Sequence, residues 1–367
     1  MISRSVLWLL AAGALSVAVL GQNTPRTAPI PSDPLEMVTG QIRAVDTPAR
    51  RAAVLQLIDR ARSSYALRSA GRGYDLKVTF RVNSGGQTEF DGAWKMHDVF
   101  DPQQGLRWTA KASTSYAVTR ISTNGMLYGE DSASYIPLRL QEARAALFDP
   151  IPSSENLARA SIRKSTVFSN GAQLTCILVS SSKKATSAAP GRRWDETEEC
   201  IDRQSGLLRT HSQVPGRYYA YDYSNAPRLA DYVLPRKVTV TEAGKTVTQI
   251  SVDSLTELSS ADPRLFIPTD EMMARGRAIA LAGAQKISRF AGPGPFPPGT
   301  TAHAVCVFGV VTPSGQLVEA HSLQPSDPNS QAAVEAAKQI DFSSPSPVGP
   351  HPQQHFVFII EKFVSSQ

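Results

Sequence analysis

The chain has 367 residues, 41% of them hydrophobic and 19% charged, with a formal net charge of +6 at pH 7. That length exceeds one typical domain and predicts two, and the apolar share is enough for a packed core. Lys and Arg are scattered, in pairs such as Lys183-Lys184 and Arg192-Arg193 at most, which excludes the concentrated basic stripe of a nucleic-acid binder.

Arg4, the apolar run Val6–Leu20 and the small residues Val19 and Gly21 predict a secretory signal peptide over 1–21, cut before Gln22. The rival reading is an uncleaved anchor in the inner membrane with the rest of the chain facing the periplasm. The run falls short of the ~20 residues a spanning helix needs, so the chain is expected to be released into the periplasm. Residues 22–44, which are Pro- and Thr-rich over Gln22–Asp33, are expected to form a flexible leader.

A helix is predicted from Thr47 as N-cap with Pro48 at its first position. Val54, Leu57, Ile58, Ala61 and Tyr65 recur along it at helical spacing. After Gly71 and Gly73 the period becomes two. Tyr74, Leu76, Val78, Phe80 and Val82 share one face; Asp75, Lys77, Thr79 and Arg81 share the other. Further strands follow, with turns at Asn83–Gly86, Asp101-Pro102 and Asn124-Gly125. Ile136–Phe148 is expected to be helical. Strands then resume, with hairpins at Asn170-Gly171, Asp202–Gly206 and Ala243-Gly244. Tyr218, Tyr219, Tyr221 and Tyr223 place rings on both faces of one strand, which fits a cleft rim as well as plain packing. Helices few and strands many predict one antiparallel sheet. A third helix is expected over Asp270–Arg289, capped by Thr269. Gly292–Gly299, with its alternating prolines, is the expected linker and hinge, so that 45–268 and 299–367 form the two domains, with 269–298 between.

There are three cysteines, Cys176, Cys200 and Cys306. In an oxidising compartment a pair plus one is the simplest arithmetic. Cys176 and Cys200 fall on neighbouring predicted strands and are expected to form a disulfide; two buried thiols are the alternative. Cys306 sits inside an apolar strand and reads as a small core residue.

The region from about 45 to 265 resembles the half-barrel of LolA-like and LppX-like periplasmic carriers. The resemblance rests on a leading helix, a long meander, an interrupting helix and the strand–turn–strand unit Cys200-Ile-Asp-Arg-Gln-Ser-Gly-Leu-Leu-Arg209. It implies a large curved antiparallel sheet over covering helices, an α+β fold, with an apolar cleft for an acyl chain or lipid. An antiparallel sheet with one apolar face must cover that face or use it. Leu76, Val78, Phe80, Trp94, Met96, Leu106, Trp108, Val118 and Tyr128 are the residues that would line such a pocket; ordinary core packing is the competing account of each.

The C-terminal residues from about 297 resemble the C-terminal domain of TonB-type envelope proteins. They run as an apolar strand (Val305–Val311), a Ser314-Gly315 turn, a second strand (Leu317–Ala320), a helix with Ala332-Ala333 and Ala336-Ala337, then Phe342, a Pro347–Gly349 loop and a closing strand. Phe296-Pro297 stands where that family has Tyr-Pro, and no Trp precedes Phe342. A long Pro/Lys spacer is absent, so the resemblance implies a small β-β-α-β fold and partner binding, not energy transduction. Phe356, Val357, Phe358, Ile359, Ile360 and Phe363 are the expected edge strand, open to an envelope protein or a second copy by strand addition.

Catalytic patterns are sparse. His351 and His355 are four apart, but Pro350 and Pro352 bar the helix a metal pair at that spacing would need. His97 and Asp98 are adjacent on a predicted strand and so point to opposite faces. There is no Gly-x-Ser-x-Gly, no Cys-x-x-Cys and no phosphate-cradling glycine loop. The expectation is a non-enzymatic binding protein without metal or cofactor. The alternative is an envelope scaffold with no pocket, acting through its C-terminal domain.

Overall fold

Period-two patterning decides this fold. Along Gly73–Val82 buried and exposed positions alternate almost without fault, so one face of the strand must be covered. The computed structural model describes residues 41–275 (except 115, 133–134, 153–156, 158–159, 170 and 181–190), 278–279, 288–291, 302–342 and 354–364. The signal segment and the 292–299 hinge lie outside the described residues.

In chain order the strands are β1 (Arg43–Ala44), β2 (Gly73–Val82), β3 (Gly92–Asp101), β4 (Gly105–Ala112), β5 (Ala117–Thr123), β6 (Met126–Asp131), β7 (Ser161–Ser169), β8 (Ala172–Ser180), β9 (Thr197–Asp202), β10 (Leu208–Val214) and β11 (Arg217–Asp222). β12 (Arg228–Leu229) and β13 (Tyr232–Val233) form a small separate ladder; β14 (Lys237–Glu242), β15 (Lys245–Leu258) and β16 (Ala278–Ile279) follow. Fourteen strands join in one curved, unclosed sheet, ordered β1-β7-β8-β9-β10-β11-β14-β15-β2-β3-β4-β5-β6-β16. Arg43 and Ala44, expected in the leader, instead pair with Lys164 and Arg163 at one edge. Asn124-Gly125 and Ala243-Gly244 make the expected hairpin turns, with φ of 51° and 72° and of 50° and 76°.

Two helices cover the inner face. α1 (Pro48–Ser63) begins as expected, Thr47 accepting from the Arg50 N–H, and buries Val54, Ile58 and Ala61. α2 (Leu138–Phe148) buries Leu140, Ala143, Ala146 and Leu147. These residues share one core with Leu76, Val78, Phe80 and Trp94 of the sheet; each large apolar side chain buried this way contributes about 1.5–3 kcal/mol. On the outer face a smaller core of Val99 and Ile121 is capped by Ala261, Phe266 and Met272.

The expected helix over Asp270–Arg289 is a single short one, α3 (Asp270–Ala274), with Thr269 as its cap. Ala278 and Ile279 then pair with Leu127 and Met126. Further on, β17 (Ser288–Ala291), β18 (Ala302–Val311), β19 (Leu317–Ser322), α4 (Ser330–Ala337) and β20 (His355–Val364) build a four-stranded sheet ordered β17-β20-β18-β19. α4 covers one face through Ala333 and Ala337, packed on Val305, Val307, Val357 and Ile359. The other face, Cys306, Phe308, Val310, Phe356 and Phe358, packs against Leu138 of α2 and Val214 of β10. The small sheet is thus docked on the large one.

Candidate functional site

The residues expected to line a pocket fall into two groups. Leu76, Val78, Phe80, Trp94, Met96, Leu106, Trp108 and Val118 all lie on the inner face, at most 9% exposed, and pack on one another. Phe80 and Trp94 stack with ring centroids 5.2 Å apart, and the Trp94 indole N–H donates to the Phe90 carbonyl at 2.9 Å. Phe90, Tyr116 and Tyr135, from the connections between strands, close this aromatic layer. Tyr128 lies instead on the outer face, packed near Val99 and Ile121. The open trough expected from too few helices is therefore filled at these positions, because aromatic residues of the connections supply the cover that helices do not.

Sequence periodicity gave no sign of the charged groups inside. Arg139 of α2 lies 2.7 Å from Glu242 of β14 and 2.9 Å from Glu319 of β19. Arg217 of β11 reaches Glu142 of α2 and Glu242, each at 2.7 Å. Both guanidiniums stack over the Phe308 ring, at 5.2 and 4.7 Å. His321 Nε2 lies 2.8 Å from Glu242. Burial alone would raise the Glu242 pKa; Arg139 and Arg217 overcome it and hold the carboxyl well below its ordinary range. At Glu319 burial outweighs Arg139, and the pKa is raised. Three carboxylates face two guanidiniums here, and Glu319 is the undercompensated one. Elsewhere on the inner face Arg144 clamps Asp98 at 2.7 and 3.1 Å, with its guanidinium 3.9 Å from the Trp108 ring centroid. A buried acid or base that finds a partner is tolerable; one left alone is costly. The signal that could have found this cluster is the Arg139/Glu142 spacing on α2, which reads equally well as a solvated pair.

His97 and Asp98 separate as expected: His97 Nε2 meets Asp75 at 2.9 Å on the outer face, while Asp98 faces Arg144. Tyr218, Tyr219 and Tyr221 are buried; Tyr219 accepts from Arg217 at 2.7 Å, and Tyr223 pairs its hydroxyl with Tyr65. They are core residues and not a wet rim.

Cys176 and Cys200 sit directly opposite each other on β8 and β9 and are disulfide-bonded. Together with Glu198 they bring three metal-type ligand atoms within 4.8 Å of one another, but two sulfurs bonded to each other offer no thiolate. Cys306 is a buried free thiol whose pKa burial raises.

The expected partner strand is not an edge where it was expected to be. Phe356, Val357, Phe358 and Ile359 pair with Ser288–Ala291 in parallel on one side and with β18 on the other. Only from Ile360 to Phe363 is β18 the sole described neighbour. Alternating apolar residues buried on both faces suit a central strand as well as an edge. The opposite edge, β19, gives its Ala320 N–H to Gln87 of the β2–β3 connection at 3.0 Å, which occupies one of its outward-facing backbone groups.

Two clefts lie outside this packed layer and the charge cluster. One, of about 380 Å³, lies at the seam of α1 and α2; Tyr65, Ala66, Phe148 and Pro150 form its apolar part, with Asp59, Arg62 and Asp149 at the rim. The second, of about 500 Å³, lies over the outer face of β2, β3, β4 and β15.

No family model matches the chain, and no curated protein matches it. Among solved structures, a putative outer membrane lipoprotein-sorting protein domain from Vibrio parahaemolyticus aligns at 9% identity over 57% of this chain and 95% of that one, with a TM-score of 0.33. A LolA-superfamily protein from Nitrosomonas europaea aligns at 6% identity over 58% and 96%, TM-score 0.34. The MucA/MucB complex of Pseudomonas aeruginosa aligns at 11% identity over 72% and 81%, TM-score 0.27. At these scores the fold assignment rests on the chain's own sheet: α+β, a large curved antiparallel sheet with few helices, not closed. No helix among the described residues is long and apolar enough to cross a membrane.

Proposed function

We propose that this protein is a non-enzymatic binder of an apolar ligand in the bacterial envelope, holding an acyl chain or similar group between the inner sheet face and α1. The observation that carries the reading is the cleft of about 380 Å³ at the seam of α1 and α2, with Tyr65 and Phe148 at its apolar end. α1 is the looser of the two covers. Its side-chain hydrogen bonds to the rest of the fold run from Arg51 to the Leu157 and Ala160 carbonyls, from Arg60 to the Arg203 carbonyl and from Arg62 to Asp149. α2, by contrast, is clamped by buried ion pairs. α1 contributes Val54, Ile58 and Ala61 to the same apolar core as the inner sheet face, so a ligand entering at the seam exchanges one apolar cover for another.

A non-enzymatic role is supported by where the charges are. The inner acids and bases Asp98, Glu142, Glu242, Glu319, Arg139, Arg144 and Arg217 pair with one another, Asp149 at the seam is paired with Arg62 at 3.3 Å, and the lining of the outer cleft holds no carboxylate and no imidazole. The Arg4 and Val6–Leu20 pattern supports export, and the two-cysteine bridge suits an oxidising compartment. The TonB-like element order of the C-terminal sheet adds a protein partner as part of the proposal, reached over a surface and not through β20.

Native mass spectrometry of the protein purified from a periplasm, followed by organic extraction, tests the ligand. A co-purifying fatty acid or lipid that is lost in Ala66→Trp, which fills the seam, supports the reading. A bare mass that stays bare after incubation with lipid vesicles overturns it.

A further inference from the structure

The outer face of the large sheet is divided. Near Val99 and Ile121 it is apolar and covered by Phe266 and Met272. Beyond that cover it is bare and basic. Lys95 stands directly opposite Lys111 on β4 and Thr79 on β2; Arg81 is opposite Ala93 and Gln249; Lys77 lies on the same face of β2. All four cations are exposed. None of them has an ion-pair partner among the described residues. Two carboxylates border the patch, Asp75 beside His97 at 2.9 Å and Asp253 accepting from the Thr79 hydroxyl at 3.0 Å; neither lines the cleft. Short side chains between the cations, Thr79, Ala93, Ser113 and Ser251, leave the shallow cleft of about 500 Å³, whose charged lining is Arg81, Lys95 and Lys111 alone.

Like charges directly opposite on neighbouring strands destabilise a sheet. The Lys95/Lys111 pair is therefore a cost to the free protein that a bound anion removes. We propose that this face docks on an anionic phospholipid bilayer, with headgroup phosphates seated among Arg81, Lys95 and Lys111. Three features favour a lipid surface over an acidic protein. β2, β3 and β4 are paired on both sides, so no backbone edge is free for strand addition. The cleft presents no exposed aromatic anchor of the kind that dominates protein interfaces. Its cations stand on a floor of short side chains, and a charged membrane plane needs only that: basic residues near it contribute additively through its surface potential. The proposal rests on charge placement and is independent of the ligand proposed for the α1/α2 seam.

The test is co-sedimentation of the full-length protein with phosphatidylcholine vesicles, plain or with about one third phosphatidylglycerol. At ~0.1 M salt the protein is expected to partition onto the anionic vesicles only, and to come off at ~1 M, where screening is nearly complete. Lys95→Glu with Lys111→Glu is expected to lower the partition by about tenfold or more. Arg50→Glu with Arg228→Glu, which makes the same change of net charge at exposed sites elsewhere, is expected to change it by about twofold or less. Circular dichroism melts check that both variants fold. Equal binding to both vesicle types overturns the proposal, as does equal loss in both variants. Binding to soluble polyglutamate but not to vesicles, again lost in Lys95→Glu with Lys111→Glu, overturns it in favour of an acidic protein partner.

Discussion

Arg139 on α2 and Glu319 on the C-terminal sheet meet at 2.9 Å with side chains only 2% and 3% exposed. The same guanidinium holds Glu242 on the large sheet at 2.7 Å. One side chain thus ties three elements together, and the docking of the small sheet depends on charge as well as on the apolar core that Phe308 shares with Leu138 and Val214.

Arg139→Met removes the guanidinium and leaves Glu242 and Glu319 buried side by side. The expected cost is about 3–5 kcal/mol, read as a lower urea midpoint. Adding Glu319→Leu to that variant is expected to recover part of it, since a hydrophobic replacement of a whole buried set is often neutral. A loss below about 1 kcal/mol in the single variant would mean that the network contributes little.

Cys176→Ser with Cys200→Ser opens a bridge that spans 24 residues of sequence. The expected destabilisation is about 3 kcal/mol, mainly through the freer unfolded chain. Peptide mapping without reduction is expected to recover the two cysteines in one linked peptide, with Cys306 as the free thiol. Cys306 is expected to resist thiol reagents until the chain unfolds, because burial raises its pKa and hides its sulfur.

Asp101 gives a pH dependence with a definite sign. The Ala261 N–H donates to it at 3.0 Å, and those of Gln103 and Gln104 at 2.8 and 3.2 Å. These bonds, Ala261 first, lower its pKa in the folded state. A carboxyl depressed on folding adds stability above its unfolded pKa, and that stability is lost as pH falls through the folded value. Asp101→Asn is therefore expected to cost about 1–2 kcal/mol at neutral pH and progressively less below about pH 4. A difference between wild type and variant that is constant from neutral pH into the acid range would contradict this.

Gly105 opens β4 with φ of +121°, and a Cβ added there would come within 2.0 Å of the Ser122 carbonyl oxygen. Gly105→Ala must strain the backbone and push β4 off β5 at once. A loss of about 2–4 kcal/mol, seen as a lower melting temperature, is expected.

Much of the local structure was legible in the residues. Thr47-Pro48 marked the start of α1, the alternation from Tyr74 to Val82 marked β2 and its buried face, and Asn124-Gly125 and Ala243-Gly244 marked hairpins. Each is a signal that acts over a few residues. What was not legible depends on partners distant in sequence. The alternation of Phe356–Ile359 is the same for a central and an edge strand, and only the pairing with Ser288–Ala291 tells them apart. Arg139 and Glu142 have the spacing of a surface ion pair, and only the arrival of Glu242 and Glu319 buries them. Leu76, Val78 and Phe80 read correctly as one apolar face, but whether such a face is filled depends on Phe90, Tyr116 and Tyr135, which lie in connections that carry no periodicity. The expected helix beyond Ala274 gives way at Ala278-Ile279 to pairing with Leu127 and Met126, partners that lie far back in the chain.

β15 lies beside β2 at the middle of the large sheet, with Leu255 opposite Leu76 and Ile250 opposite Phe80. The two strands are more than 150 residues apart in the chain. A polypeptide that emerges from its N-terminus first, whether from a ribosome or across a membrane, carries β2 into the new compartment long before its neighbour arrives. Until Leu258 follows, the meander β2–β6 has an unpaired inner strand, and the large sheet exists only as separate pieces. Closing so long a loop is slow, and the waiting strand is of the kind that other chains add to. Assembly of this fold is therefore timed by delivery of its last third, and that interval is when a holding chaperone would matter most.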